Sequence, residues 1–325
     1  MAFSADQLLE KVNTYLATMP YVREPKGLYA PIKYVLSLGG KRIRPVLMLL
    51  SYQLYKENVD DILPQAAGIE TYHNYTLLHD DLMDCADMRR NKPTVHKVWD
   101  ENTAILSGDA MLVLAYRLMN NCPERYLKQV MDIFSQTALE ICEGQQWDME
   151  FETRNDVTVP EYMEMIRLKT SVLLSAALKI GAVLGGASED DARKLYDFGI
   201  KMGLAFQLQD DYLDVYGDSK VFGKNIGGDI LCNKKTFMLI NALALADGIQ
   251  RKELEKWIAS TAFCPEEKIK AVTALYDKIG IGGICEEKIN AYYVEGLSLL
   301  ESMAVPSERK EELKSFVCHL MNRKV

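Results

Sequence analysis

The sequence predicts an all-α protein folded as a single domain over residues 1–325. Three observations carry this. Long segments are rich in Leu, Ala, Met, Glu and Lys, which give up least on entering a helix. Alternation of apolar and polar residues over strand lengths is nearly absent. No low-complexity linker divides the chain. The helical segments run, in order, over Ala66–Asp84, Ala104–Met119, Tyr126–Glu143, Glu161–Leu184, Asp191–Tyr216 and Lys235–Ala246. Breaks fall where helices should stop: Gly39-Gly40, Pro64, Pro93, Pro123, the polar stretch Thr153–Pro160, Gly185-Gly186, and Gly217 to Gly228. Several segments are apolar almost all round, which predicts helices enclosed by other helices.

Composition narrows the function classes. Lys plus Arg number 38 against 46 Asp plus Glu, a formal net charge of −8, which excludes a general nucleic-acid binder. Hydrophobic residues at 48% and charged residues at 26% are ordinary for a globular protein and exclude bulk disorder. The seven cysteines are scattered, with no CxxC pair, and are expected to be reduced and mostly buried, as in a cytoplasmic protein. Asp6 and Glu10 interrupt any signal-peptide pattern. The most apolar stretch, Ser171 to Ala187, is broken by Lys179 and glycines and is expected to be too short to span a bilayer.

One long-range echo stands out. Leu78-His79-Asp80-Asp81-Leu82-Met83-Asp84 is repeated as Leu208-Gln209-Asp210-Asp211-Tyr212-Leu213-Asp214, so DDxxD closes two separate apolar helices. The first and last Asp of the pattern stack about one turn apart on one face, and the middle Asp sits about 100° round the helix. Such carboxylates repel one another, and a helix C-terminus disfavours anions. A single cluster would read best as a solvated helix end. Two of them, each behind an apolar helix, call for a compensating cation. Oxygen donors without nearby His or Cys favour Mg²⁺, which takes one or two carboxylates plus substrate phosphates.

Basic residues supply the complement. Gly39-Gly40-Lys41-Arg42-Ile43-Arg44-Pro45 places cations at a loop-to-helix junction, Arg89-Arg90 follows the first cluster, and Lys224, Lys234 and Lys235 follow the second. Arg grips phosphate as a fork and Lys as a point charge. Interleaved with metal-type clusters in an acidic chain, they imply a polyphosphate substrate. No GxxxxGK[ST] or GxGxxG segment is present, which disfavours a nucleotide-binding fold.

Six ordered segments together resemble the trans-isoprenyl diphosphate synthases, or polyprenyl synthetases: GGKRIRP at 39–45, LLHDDLMD at 77–84, RRNKPTVH at 89–96, KTS at 169–171, FQLQDDYLD at 206–214 and FGKNIGGDILCNKKT at 222–236. The resemblance implies a bundle of mostly antiparallel helices around a deep central cavity, usually as a homodimer. By position, Asp80, Asp81 and Asp84 would hold Mg²⁺ from one wall and Asp210, Asp211 and Asp214 from the other, with three ions per site. Arg89, Lys169, Lys224 and Lys234 would grip an allylic diphosphate (dimethylallyl, geranyl or farnesyl). Lys41, Arg44, His73 and Arg90 would hold isopentenyl diphosphate. Thr170 and Gln207, with Lys169, would lie beside the reacting carbons. The implied reaction is ionisation of the allylic diphosphate, attack by the isopentenyl double bond, and proton loss to the departed pyrophosphate, so no separate base or nucleophile is needed.

Chain length follows from the helix that ends in Asp80. One isoprene unit is comparable to one helical turn, ~5.4 Å, so a bulky residue one or two turns back can act as a floor. Thr76 is small and nearly in line with Asp80, Tyr75 carries a ring that could reach across, and Tyr72 lies two turns back. In the family, aromatic residues at both the fourth and fifth positions before the motif go with C15 products, and one at the fifth alone goes with C20. The resemblance therefore implies geranylgeranyl diphosphate, with farnesyl diphosphate next.

A lone His on an apolar helix is usually core, but His73 matches the isopentenyl diphosphate site. His79 reads as structural and His96 is left open. Asn74-Tyr75-Thr76 spells a glycosylation acceptor on a helix expected to be buried, a chance match. Two other readings compete: a class I terpene cyclase and a non-catalytic subunit of a heteromeric prenyl synthase. A cyclase pairs its DDxxD with an Asn, Ser/Thr and Glu motif and needs no second diphosphate site. Non-catalytic subunits degrade an acidic cluster, and both are intact here.

Overall fold

Residues 3–217 and 226–321 are described by a computed structural model of the chain. It is 79% helical. Among the described residues the strand content is one antiparallel hairpin, Met88–Arg89 against Lys92–Pro93. Every anticipated helix forms: Leu63–Met83, Glu101–Met119, Glu124–Thr153, Val159–Gly185, Glu189–Tyr216 and Phe237–Leu245. Glu124–Thr153 runs ten residues beyond its expected end, because nothing before Arg154 breaks it. Pro64 opens its helix, and Gly186, at φ 88°, closes another.

The chain divides into two compact units. The first comprises Met1–Gln136, Ala176–Leu195 and Ala304–Leu313. Its axis is Leu63–Met83, whose upper turns, Gln65 to Tyr72, are buried all round. Gly68 lets this helix approach Glu101–Met119, since a Cβ there would lie 3.1 Å from Leu118. Tyr21, Ile32, Val35, Leu36, Leu78 and Met111 close a core at the end nearer Asp80.

The second unit comprises Thr137–Ser175, Tyr196–Met303 and Lys314–Val325. Tyr162, Met165, Leu208, Phe237, Met238, Val272, Tyr276 and Ile281 form its core. Thr158 and Glu161 make a reciprocal capping box that starts the helix at Val159. Eight residues later the helix widens into a π-turn over Arg167–Ser171, which holds the KTS segment. Two glycines from neighbouring helices press on that turn. A Cβ on Gly144 would stand 2.4 Å from the Lys169 nitrogen, and one on Gly203 would stand 2.6 Å from the Ser171 Cα. Single-turn π-bulges of this kind recur at functional sites.

Two expectations need correction. Only Cys285 is buried; Cys85, Cys142, Cys232 and Cys264 are exposed, all as free thiols. The apolar stretch is not too short: Val159–Gly185 forms 27 continuous helical residues with a window of mean hydropathy 1.5, enough to cross a membrane by length and composition. Its window is 83% buried inside the fold, which marks a core helix.

Candidate active site

In the first unit, Asp84 caps the helix Leu63–Met83 and Asp80 lies one turn back. The 100° step carries Asp81 inward, where it is 5% exposed. There it accepts two bonds from Arg89 Nε, at 2.7 and 2.8 Å, while Arg89 Nη2 lies 3.6 Å from Asp80 Oδ2. Burial raises the Asp81 carboxyl above its usual range, and Arg89 opposes the rise. The inner aspartate thus anchors the Arg89 stem.

Arg90 and Asn91, at φ 53° and 61°, form the tight two-residue turn of the hairpin. Arg90 then reaches back to donate to the Gly39 carbonyl. Gly40 sits at φ 135°, and a Cβ there would fall 2.9 Å from the guanidinium, so this contact requires glycine. The next residues divide their labour through one backbone feature. Arg42 adopts φ 46°, turns inward, and pairs with Glu70 at 2.7 Å, the side chains being 3% and 2% exposed. It also donates to Leu36 O at 2.7 Å and to Asn13 Oδ1 at 3.3 Å.

Arg44 Nη1 lies 3.1 Å from His73 Nε2. An arginine can only donate, so Nε2 is the acceptor and the proton of the neutral ring is on Nδ1. Burial, reinforced by Arg44, Arg90, Arg89 and Arg42, holds the His73 ring well below the usual histidine range. Burial also lowers Arg44, to about 10, which leaves it charged at neutral pH. Its Nε is buried without a partner among the described residues. A neutral imidazole beside clustered guanidinium groups is a setting for an anion.

The second unit carries the other cluster on Glu189–Tyr216. Here too the inner aspartate turns inward: Asp211 is 4% exposed. The Tyr162 hydroxyl donates to its Oδ2 and Gln207 Nε2 to its Oδ1 at 3.2 Å, while Thr170 Oγ1 donates to Gln207 Oε1 at 3.3 Å. Burial pushes Asp211 up to about 7, against the Tyr162 hydrogen bond and helped by the Asp229 carboxylate. Asp214 Oδ2 accepts from the Asp229 amide at 3.0 Å, tying the motif to the GGDIL turn. Lys169 Nζ pairs with Asp148 Oδ2 at 2.6 Å. Burial would raise Asp148, but Lys234 and Lys169 outweigh it and hold the carboxyl below its usual value.

The expected residues therefore fall into two groups. Arg44, His73, Arg89 and Arg90 converge in one unit, and Lys169, Thr170, Gln207 and Asp211 are hydrogen-bonded around the π-turn in the other. Lys41 is exposed beside Arg42, and Lys234 is exposed within influence of Asp148. Lys224 lies outside the described residues. The resemblance groups Asp81 and Asp211 with the metal ligands; both are buried and accept bonds from Arg89, and from Tyr162 and Gln207, respectively, while Asp214 accepts from the Asp229 amide. Asp80 and Asp84, with Asp210 and Asp214, are the more accessible members. Among the described residues no three His, Cys, Asp or Glu groups are placed together so as to hold a metal ion. Sequence reasoning missed Asp148 and Tyr162, which carry no motif of their own, and Asp229, which stood without a role inside the segment 222–236. The Asn74 amide is buried against Glu70, at 2.8 and 2.9 Å, so the glycosylation match is unreachable.

Residues 25–276 match the polyprenyl synthetase family. The chain is 41% identical, over 84% of its length and 83% of the relative's, to the short chain isoprenyl diphosphate synthase of Methanocaldococcus jannaschii. The crystal structure of a geranylgeranyl pyrophosphate synthase matches with a TM-score of 0.91 at 45% identity, covering 98% of both chains. The geranylgeranyl pyrophosphate synthase of Corynebacterium glutamicum, complexed with isoprenyl diphosphate and magnesium, matches with a TM-score of 0.88 at 26% identity, covering 99% of this chain and 100% of that one.

Proposed function

Because the chain belongs to the polyprenyl synthetase family, we propose that it is a magnesium-dependent trans-prenyltransferase that adds isopentenyl diphosphate head-to-tail to an allylic diphosphate. We read residues 1–325 as one catalytic domain of that family. The observation that carries the reading is the duplicated DDxxD in which each inner aspartate is fastened into the protein. The outer aspartates of each copy lie on one face of the helix and are the more accessible, with Arg89 3.6 Å from Asp80.

All the donors are carboxylate oxygens, which suits a hard cation. Asp80 and Asp84 would hold magnesium, as would Asp210 and Asp214, with three ions per site. Bound magnesium neutralises diphosphate and makes it a better leaving group. Arg89, Lys169, Lys224 and Lys234 grip the allylic diphosphate. Lys41, Arg44, Arg90 and the neutral His73 hold isopentenyl diphosphate. The allylic C1–O bond breaks and its electron pair leaves with pyrophosphate. The isopentenyl π electrons then form the new bond to C1, and the proton lost from the adjacent carbon goes to the pyrophosphate. Thr170 and Gln207 hold oxygen dipoles in a fixed hydrogen-bonded chain, a preorganised setting for the carbocation. Ile105, Leu106 and Val113 form an exposed apolar row on Glu101–Met119, which supports a homodimer. Free cysteines, four of them exposed, support a cytoplasmic setting.

The deciding experiment incubates purified protein with isopentenyl diphosphate, dimethylallyl diphosphate and Mg²⁺ and identifies products by mass spectrometry. Condensation should stop with a chelator and return with added Mg²⁺. No product in the presence of metal overturns the reading. The C20 product is expected, with Tyr75 as the floor. Tyr75→Ala should lengthen the products and Thr76→Phe should shorten them. An unchanged spectrum for Tyr75→Ala would move the floor to Tyr72 or another helix.

The two diphosphate grips should separate kinetically. Arg90→Ala should raise KM for isopentenyl diphosphate by about tenfold, the loss of one charge-assisted contact. Lys234→Ala should do so chiefly for the allylic substrate. Initial rates with each substrate varied in turn decide the point, and a crossed pattern would reverse the two assignments.

A further inference from the structure

His79 is the residue between Asp80 and the rings of Tyr72 and Tyr75 to which no role has yet been given. Its imidazole lies on Gly108 of Glu101–Met119. A Cβ at Gly108 would stand 2.1 Å from His79 Nε2 and 2.5 Å from Cδ2, so the ring fills the notch that the missing side chain leaves. Nε2 is 3.2 Å from the Ile105 carbonyl, one turn earlier on the same helix. A carbonyl only accepts, so Nε2 carries the proton. The other side of the imidazole meets Tyr75 edge-on, with ring centroids 4.8 Å apart. Beyond it the contacts continue through Tyr72 at 5.4 Å and Phe134 at 5.2 Å to Tyr116 at 4.9 Å. Tyr72 is 1% exposed and Phe134 is fully buried, so that end of the row cannot yield.

We propose that His79, seated on Gly108, is the positioning residue that holds the Tyr75 ring and thereby sets the length of the chain this enzyme makes. The inference rests on the prenyltransferase reading and on Tyr75 as the floor. It adds that the floor is a braced ring, fixed from one end by Tyr72 and Phe134 and from the other by an imidazole with one hydrogen bond and one notch. An aromatic pair at this spacing is held by its geometry. Removing one brace lets the tyrosine swing while its bulk remains.

The test compares His79→Ala, Gly108→Ala and the double variant with the parent chain. Each is given dimethylallyl diphosphate, Mg²⁺ and excess isopentenyl diphosphate, and product lengths are reported as ratios, independent of total turnover. His79→Ala should raise the share of products longer than the parent's main product at least fivefold. Gly108→Ala should shift the ratio in the same direction, because its methyl group evicts the imidazole. The double variant should match His79→Ala in product ratio. It should also melt above His79→Ala alone, since the notch is then empty and alanine is the better helix former. If Gly108→Ala does not fold, the double variant and His79→Ala still decide the matter. Condensation with an unchanged product ratio in both would overturn the role of His79. Absence of condensation in the parent chain would instead overturn the prenyltransferase reading.

Discussion

Asp80→Ala and Asp210→Ala should each lower kcat for condensation by about three orders of magnitude, the effect of removing one preorganised charge partner, ~4 kcal/mol, from a charge-separating transition state. The fold should survive. Asp80 is half-buried at the end of Leu63–Met83, where the helix dipole disfavours its charge. Its loss also leaves the two bonds between Asp81 and Arg89 in place. Asp210 is likewise partly exposed, while its inner neighbour Asp211 remains fastened by Tyr162 and Gln207. Circular dichroism and melting should stay near those of the parent chain while turnover collapses. Near-normal activity in both variants would remove the metal-dependent mechanism.

The largest effect on stability is expected at Glu70→Gln. This change leaves Arg42, 3% exposed in its side chain, with no counter-charge. Breaking a buried ion pair by removing one partner costs about 3–5 kcal/mol, because the remaining charge stays desolvated. The side-chain amide keeps the contact with Asn74, so lost packing is a minor part of the result. The consequence should reach the substrate, since Arg42 holds the left-handed turn that separates Lys41 from Arg44. A rise in KM for isopentenyl diphosphate should accompany the loss of stability. Urea unfolding gives the first quantity and initial rates the second. A variant within about 1 kcal/mol of the parent would mean that the pair is solvated after all.

Much of this was legible in the sequence, for identifiable reasons. The long helices announce themselves by composition, and the two DDxxD clusters by a repeat that no packing argument explains. The split of each cluster into inner and outer aspartates is implicit in the 100° step, but which side faces inward depends on where Arg89 and Tyr162 come to lie. Asp148 and Tyr162 were invisible for the same reason, and Asp229 had no role assigned within the segment 222–236. Each is an ordinary helix or turn residue until folding brings it to Lys169, Asp211 or Asp214. The π-turn leaves no mark in composition, because Arg, Leu, Lys, Thr and Ser suit a regular helix nearly as well. Arg90-Asn91 lacks the Asn-Gly or Asp-Gly signal of a tight hairpin, so only Pro93 marked that place. The N-terminal helix Ala5–Thr18 did carry a signal, the capping box of Ser4 and Gln7.

The core helix Val159–Gly185 also bears on how the chain survives its own synthesis. Tyr162, Met165 and Ile166 share one core with Phe237, Met238, Val272, Tyr276 and Ile281, all made later. At ~5–20 residues per second, that half of an apolar helix waits on the order of ten seconds for its cover. Until then it is an exposed apolar segment, prone to aggregate. Heating recreates the same exposure in a crowded tube, so thermal unfolding should end in aggregates and fail to reverse on cooling. For this chain, the half-life at a fixed temperature is then the fair measure of resistance to heat, because a scanned midpoint moves with the rate of heating.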